Sequence, residues 1–237
     1  MQGVWRELAG LVLPVDCAGC GRPRTELCVT CRTALSRDGR GARRVRPVPV
    51  PAGLPRVWAG APYADEVRAV LLAHKERGAM RLAGPLGSVL AGAVRGLRAA
   101  GGPLLLVPVP SARRAVAGRG HDPVRRIALA AATELRRAGG VVRVCAVLRQ
   151  RRAVADQAGL SAPQRLANVA GAQEVRGGAG RLLAGASVVL VDDLVTTGAT
   201  LAEAARAVEA GGGRVAGAAV VAAPRNAFEI NWNGVRN

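Results

Sequence analysis

The chain is poor in aromatic residues, nearly free of lysine and without a long apolar run, and each shortage removes a class of function. Aromatic side chains make up 2% of its 237 residues, so there is little with which to stack the bases of a nucleic-acid strand. No recognition-helix pattern accompanies its positive charge, which argues against sequence-specific reading of DNA. No apolar stretch approaches the roughly 20 residues that cross a bilayer. The N-terminal apolar segment 8–15 is short, is broken by Pro14 and has no basic cluster before it. It makes a poor signal peptide, and a cytoplasmic protein is expected. Glu7, Asp16 and the other acids outside the 192/193 pair are too scattered to form a separate catalytic pair, so a hydrolase has no support. There is no internal repeat.

What is present is arginine, glycine and alanine. The net charge is +18, and Lys75 is the only lysine behind it. Such a composition has two readings: the drift of a GC-rich genome, which writes its cations as arginine, or a real anionic partner such as a phosphorylated substrate or nucleic acid. At this length the chain holds one α/β domain and a small appendage.

The pattern centres on residues 187–201, SVVLVDDLVTTGATL. Val188 to Val191 form a β-branched and aliphatic run, the mark of a strand buried on both faces of a parallel sheet. Asp192 and Asp193 follow, then Thr196, Thr197 and Gly198, and a helical pattern opens at Ala199. A strand feeding a Thr/Gly turn that starts a helix is a ready phosphate cradle, because backbone N–H groups and the helix dipole converge there. The two acids cannot bind that phosphate. They suit the cis-diol of a neighbouring sugar, or Mg²⁺ held through water. Together they describe a ribose 5-phosphate site.

The rest of the chain reads as support. Residues 4–13 suit a short amphipathic helix with Trp5, Leu8, Leu11 and Val12 on one side. Cys17, Cys20, Cys28 and Cys31 form two Cys-x-x-Cys pairs, which close a structural zinc site. An iron–sulfur cluster and disulfides are the alternatives that this spacing leaves open. Cys145 reads as core filler. Residues 36–55 turn basic and then proline-rich, a linker or an arm over the next domain. Strands are expected at 57–63, 104–107, 141–148, 188–191 and 215–222, and helices at 65–77, 81–99, 127–137 and 202–210. Pro108 and Pro110 make a rigid turn after the second strand, and Arg113, Arg114 and Arg119 follow it. Such a loop can hold a second phosphate group, here a pyrophosphate. Residues 149–175 lack clear periodicity and suit a mobile loop that closes over a substrate. The alternation argues a doubly wound, mainly parallel sheet with the ligand at the carboxyl ends of its strands. The expected division is 1–45 as helix and zinc module, 46–56 as linker, 57–225 as the main domain and 226–237 as a tail.

In this order the motifs resemble the competence protein F (ComF) family, and the 187–201 string resembles the PRPP-binding signature of type I phosphoribosyltransferases. The resemblance spans nearly all of residues 8–224. It rests on the double Cys-x-x-Cys, the Leu71-Leu72…Lys75 helix, LLLVPVP with Arg113, and the Arg119-Gly120 pair. The Gln157…Leu160-Ser161…Arg165…Asn168-Val169 segment and VVLVDDLVTTGATL complete it. It implies that Asp192 and Asp193 meet the ribose hydroxyls of PRPP and serve catalysis. Val195, Thr196, Thr197, Gly198, Ala199 and Thr200 would hold the 5-phosphate. Pro108, Arg113, Arg119 and Lys75 would take the pyrophosphate side, with Mg²⁺. Gln157, Ser161, Arg165 and Asn168 would form a flexible hood. The family continues Arg-Gly with Phe-Asn-Gln, whereas this chain has His121-Asp122-Pro123, with His121 expected to pack in place of the aromatic. Two functions follow: phosphoribosyl transfer from PRPP to an unknown acceptor, or a non-catalytic protein that binds single-stranded DNA within the competence machinery during DNA uptake.

Overall fold

The computed structural model describes residues 16–35, 41–97, 102–111, 113–154, 159 and 161–229, with the backbone alone at 113–115 and 162. The expected helix at 4–13, Gln157, Leu160 and Trp232 lie outside these residues. A six-stranded sheet carries the chain, in the order β1-β2-β8-β7-β3-β4. Its strands are β1 (Arg43–Val45), β2 (Val57–Pro62), β3 (Leu104–Pro108), β4 (Val142–Val144), β7 (Ser187–Leu194) and β8 (Arg214–Ala223). Every pairing is parallel except β1 with β2. The chain is therefore α/β with a mainly parallel, doubly wound sheet.

β7 sits at the centre because nothing along its first half tolerates water. Val188, Val189, Leu190 and Val191 are fully buried, with β3 hydrogen-bonded on one side and β8 on the other. Helices α1 (Val29–Leu35), α2 (Asp65–Glu76), α3 (Ala83–Gly96), α4 (Arg113–Arg119) and α5 (Pro123–Arg137) precede β4 in the chain. α3 packs on α5, β2 and β8, and with α2 forms one apolar layer against the sheet. Their fit depends on Gly87, where an added Cβ would lie 2.5 Å from the Ala130 Cβ of α5. Helix α6 (Ala162–Val169), the single turn α7 (Gly180–Leu183) and α8 (Ala199–Ala210) follow β4. α8 closes the other face together with Val45, Leu105, Val107 and Val220.

The four-cysteine segment is not a separate lobe. Cys17, Leu27, Cys28, Cys31 and Leu35 share one apolar cluster with Val67, Val70 and Leu71 of α2. The basic stretch after it also enters the sheet. β1, the last three residues before the boundary expected at 45/46, pairs in register with β2. Beyond it, Leu54 packs against the α8 side of the sheet.

Three expected elements come out differently. The strand expected at 141–148 divides: β4 stays in the main sheet, and β5 (Leu148–Gln150) turns away to pair antiparallel with β6 (Gln173–Val175). The loop expected at 149–175 begins and ends in this ribbon and contains α6. Its start is a capping box, Ser161 Oγ accepting from the Gln164 N–H at 3.4 Å and Gln164 Oε1 from the Ser161 N–H at 2.8 Å. That signal lies in caps rather than in hydrophobic spacing. The helix expected from residue 127 starts four residues earlier at Pro123, where Asp122 caps it by accepting from the Arg125 N–H at 3.0 Å. The His121-Asp122-Pro123 departure is thus a helix start.

Candidate functional site

Order along the sheet locates the crevice. From β3 the chain winds outward to β4, and from β7 it winds the opposite way to β8, so the winding reverses between β3 and β7. In such sheets ligands bind at that reversal, beyond the carboxyl ends of the strands. β3 ends there at Pro108, directly beside Val191, and β7 ends in Asp192, Asp193 and Leu194.

The two acids alternate across the pleat, as neighbours in a strand must. Asp192 is half-buried, and its Oδ1 accepts the backbone N–H of Asp193 at 2.8 Å. Asp193 is buried, and its Oδ2 accepts from Lys75 Nζ at 2.8 Å. The single lysine of the chain thereby reaches the end of β7 from the last turn of α2. Burial pushes the Asp192 carboxyl above the ordinary carboxylate range, and the neighbouring Asp193 charge adds to this while Lys75 opposes it. Burial by itself would lower the Lys75 ammonium, but the Asp193 carboxylate outweighs it and the net shift is upward. The site holds one compensated charge pair and one carboxylate that is costly to ionise.

Downstream lies the expected turn. Gly198 precedes α8 with φ +78°, and a Cβ there would meet two Leu54 methyls at 3.0 Å and Pro47 at 3.4 Å. The position demands glycine on both counts. The first N–H groups of α8 have no intrahelical acceptor and open onto the turn where Thr196 is exposed and Thr197 half-buried. Across the crevice, Pro108, Ser111, Asp122, Arg149, Gln150 and Arg176 line a cleft of about 330 Å³. It lies between the turn after β3 and the base of the β5–β6 ribbon.

Other expected site residues lie on the neighbouring helices. Arg119 makes a bidentate pair with Glu76 of α2, at 3.0 and 2.8 Å, and its charge is felt at Lys75. The backbone of Arg113 opens α4, and its side chain lies outside the described residues. Ser161 caps α6, which carries Arg165 and Asn168. Sequence reasoning did not find the environment of Lys75. His74 and His121 are both buried and meet edge-to-face at 5.9 Å. His74 Nε2 faces the Pro123 carbonyl at 3.3 Å, and His121 Nε2 faces the His74 carbonyl at 3.3 Å. Burial holds the His74 imidazole below its ordinary pKa. The pair ties the end of α2 to the start of α5 as packing, and the one sequence hint was His74 beside Lys75.

At the other end of α2 the four cysteines are free thiols whose sulfurs lie within 4.8 Å of one another. Cys20 Sγ and Cys28 Sγ are 3.7 Å apart. Sulfurs about 2.3 Å from one tetrahedral zinc stand about 3.8 Å apart, so the set fits a single zinc ion; several irons between them would need a wider cage. The Cys28 N–H points at Cys17 Sγ at 3.3 Å and the Cys31 N–H at Cys28 Sγ at 3.4 Å. Burial raises the Cys17 thiol, but backbone N–H groups, that of Cys28 foremost, outweigh it and bring it down to about 6. The Cys31 thiol is pushed up, by burial first and then by its sulfur neighbours.

Residues 127–230 match the phosphoribosyl transferase domain family. The match takes in both acids, the Thr/Gly turn, the β5–β6 ribbon and α8, and leaves out the cysteines, α2 and β3. This stretch, a little under half of the chain, is thus similar to a phosphoribosyl transferase domain, and the α/β sheet around it is consistent with that fold. No curated protein matches the chain. Among the described residues, no helix is long and apolar enough to cross a membrane.

Proposed function

We propose that this protein binds PRPP at the β3/β7 crevice and transfers its phosphoribosyl group to an acceptor, releasing pyrophosphate. The observation that carries the reading is the meeting of Asp192, the Lys75–Asp193 pair and the Gly198 turn at the reversal of the sheet. The turn from Val195 to Thr200 holds the 5-phosphate through the free N–H groups of α8 and the Thr196, Thr197 and Thr200 hydroxyls. Asp192 and Asp193 accept from the ribose hydroxyls. As the bond from C1 to pyrophosphate breaks, positive charge grows on the ring and these carboxylates stabilise it. The attacking atom of the acceptor takes C1, and the electron pair of the broken bond leaves on pyrophosphate. Lys75 lies within reach of that charge, and the cleft between Pro108 and Arg176 suits the departing group or the acceptor. The start of α4, which carries Arg113, borders this cleft.

Asp192 also suits a hydrated Mg²⁺, being half-buried at the carboxyl end of β7. Such an ion would supply charge neutralisation to the leaving pyrophosphate. The α6 segment, with Ser161, Arg165 and Asn168, forms the hood that excludes water.

Calorimetric titration with PRPP and Mg²⁺ tests the reading. Wild-type protein gives saturable heat, and D192N/D193N abolishes it; a wild-type protein that gives none refutes the proposal. A pyrophosphate-release screen over nucleobases and small amines, with PRPP present, then identifies the acceptor class.

A further inference from the structure

The proline-rich arm after β1 has no part in the chemistry above, yet it closes on the phosphate turn. Pro47, Pro49, Pro51 and Pro55 fix φ through it, so little chain entropy is lost in holding it in place. Its two ends are tied down: the Arg46 N–H donates to the Ala227 carbonyl at 2.7 Å, and the Arg56 carbonyl accepts from the Ala218 N–H at 2.8 Å. Between these ties the chain turns, the Leu54 N–H donating to the Pro51 carbonyl at 3.2 Å. Val48, Pro49, Val50, Ala52 and Gly53 are exposed. Pro47, the one buried residue of the arm, and half-buried Leu54 are the residues that meet Gly198. A Cβ on that glycine would lie 3.0 Å from both Leu54 methyls and 3.4 Å from Pro47 Cγ.

Core filling does not account for this contact. Cavities of about 240 and 300 Å³ border the arm, one lined by Val50, Leu54 and Pro55, the other by Ala52 and Gly53 with Leu166 and Val169 of α6. A segment placed to fill a core leaves few voids larger than a water. What the arm does touch closely is a glycine at φ +78° and ψ −3°. Glycine visits many conformations at little cost, so a turn that depends on one keeps a single shape only if a neighbour excludes the others. In the shape held here the Gly198 carbonyl accepts from the Ala202 N–H at 2.9 Å and starts α8, whose first N–H groups are left without an intrahelical acceptor. We infer that Leu54 is a positioning residue for ribose-phosphate binding: through Gly198 it holds the turn in the form that presents those N–H groups, and it touches no ligand itself. A turn held in advance loses less freedom when the anion arrives, and the affinity gains by that difference. The binding role rests on the ribose-phosphate reading of the crevice; the hold on the turn rests on the arm's own contacts.

Calorimetric titration of the full chain with ribose 5-phosphate compares wild type, L54A and L54M, and the thermal midpoint of each variant verifies its fold. L54A weakens ribose 5-phosphate by about ten-fold, and L54M, which refills the same volume, binds within about two-fold of wild type. Equal affinity in L54A and wild type overturns the inference. Amide hydrogen exchange, read by NMR without ligand, separates a held turn from general stability. In L54A the Ala202 amide exchanges at least about ten-fold faster, while that of Val208 in the same helix changes by less than about two-fold. Equal acceleration at both amides reports a general loss of stability and overturns the inference, as does unchanged exchange at Ala202. Wild type without heat overturns the ribose-phosphate reading and the binding role with it, while exchange at Ala202 still decides whether Leu54 holds the turn.

Discussion

At the scale of single residues, the site trades stability for charge. Asp192 has a carboxyl pushed upward by burial and by Asp193, so its ionisation costs the folded state free energy. A carboxyl raised in the fold destabilises at pH above its folded pKa. That penalty fades as the pH falls towards the unfolded value near 3.9. Asp192→Asn keeps the oxygen that accepts from the Asp193 N–H and removes the charge. The variant should melt higher than wild type at pH 7, by about 2–4 °C for about 1 kcal/mol, with the gain gone below about pH 4. Melting curves across pH decide it, and an equal or lower midpoint at neutral pH counts against the account. Lys75→Met acts in the opposite sense. It strands the buried Asp193 carboxylate without its ammonium and should cost about 1–3 kcal/mol in denaturant unfolding. Adding Asp193→Asn should restore most of that loss, which a double-mutant cycle measures.

At the scale of elements, the decisive parts are joints rather than helices or strands. Gly198 joins β7 to α8 in a left-handed conformation against Leu54. Gly198→Ala should lose about 1–2 kcal/mol of stability and weaken ribose 5-phosphate binding, since the backbone must shift at the phosphate turn. Leu54→Ala in the same chain removes the close contact but leaves the positive φ, so only part of the stability should return. Full recovery would show that the backbone conformation costs nothing there. The start of α5 is a joint of the same kind. Asp122 caps it, Pro123 occupies its first turn, and His121 turns inward to touch His74. Its hydrogen bonds and those of His74 fix the segment that delivers Lys75.

At the scale of the whole molecule, the cysteine segment and the sheet domain share one core. Cys17, Cys28 and Cys31 pack with α2, and α2 carries Lys75 to the acids at its far end. Removing the metal should therefore lower the melting of the entire chain in one transition, on the order of 10 °C, rather than releasing a small unit first. Cys17→Ser should lose one equivalent of zinc by elemental analysis and reproduce the shift. A separate low-temperature transition, with the main one unmoved, would show two independent units.

Local chemistry was readable in the sequence wherever residue type alone imposes it. A run of Val188 to Val191 has no stable place except a buried strand, a Thr/Gly turn before a helix leaves N–H groups free, and paired Cys-x-x-Cys sulfurs ask for a metal. These determined the fold class and pointed to the candidate site. Only the tertiary structure decided which groups meet. Lys75 and Asp193 are separated by most of the sheet domain in sequence, and their pairing depends on how α2 packs over the sheet. Arg119 pairs with Glu76 because two helix ends come together that no local pattern links. The basic stretch after the cysteines lacked the apolar residues to build a core, and it gained a place by adding β1 to an edge that already existed. Hydrophobic period and turn chemistry act over a few residues, whereas charge pairing and edge pairing are settled by which surfaces the packed sheet brings into contact.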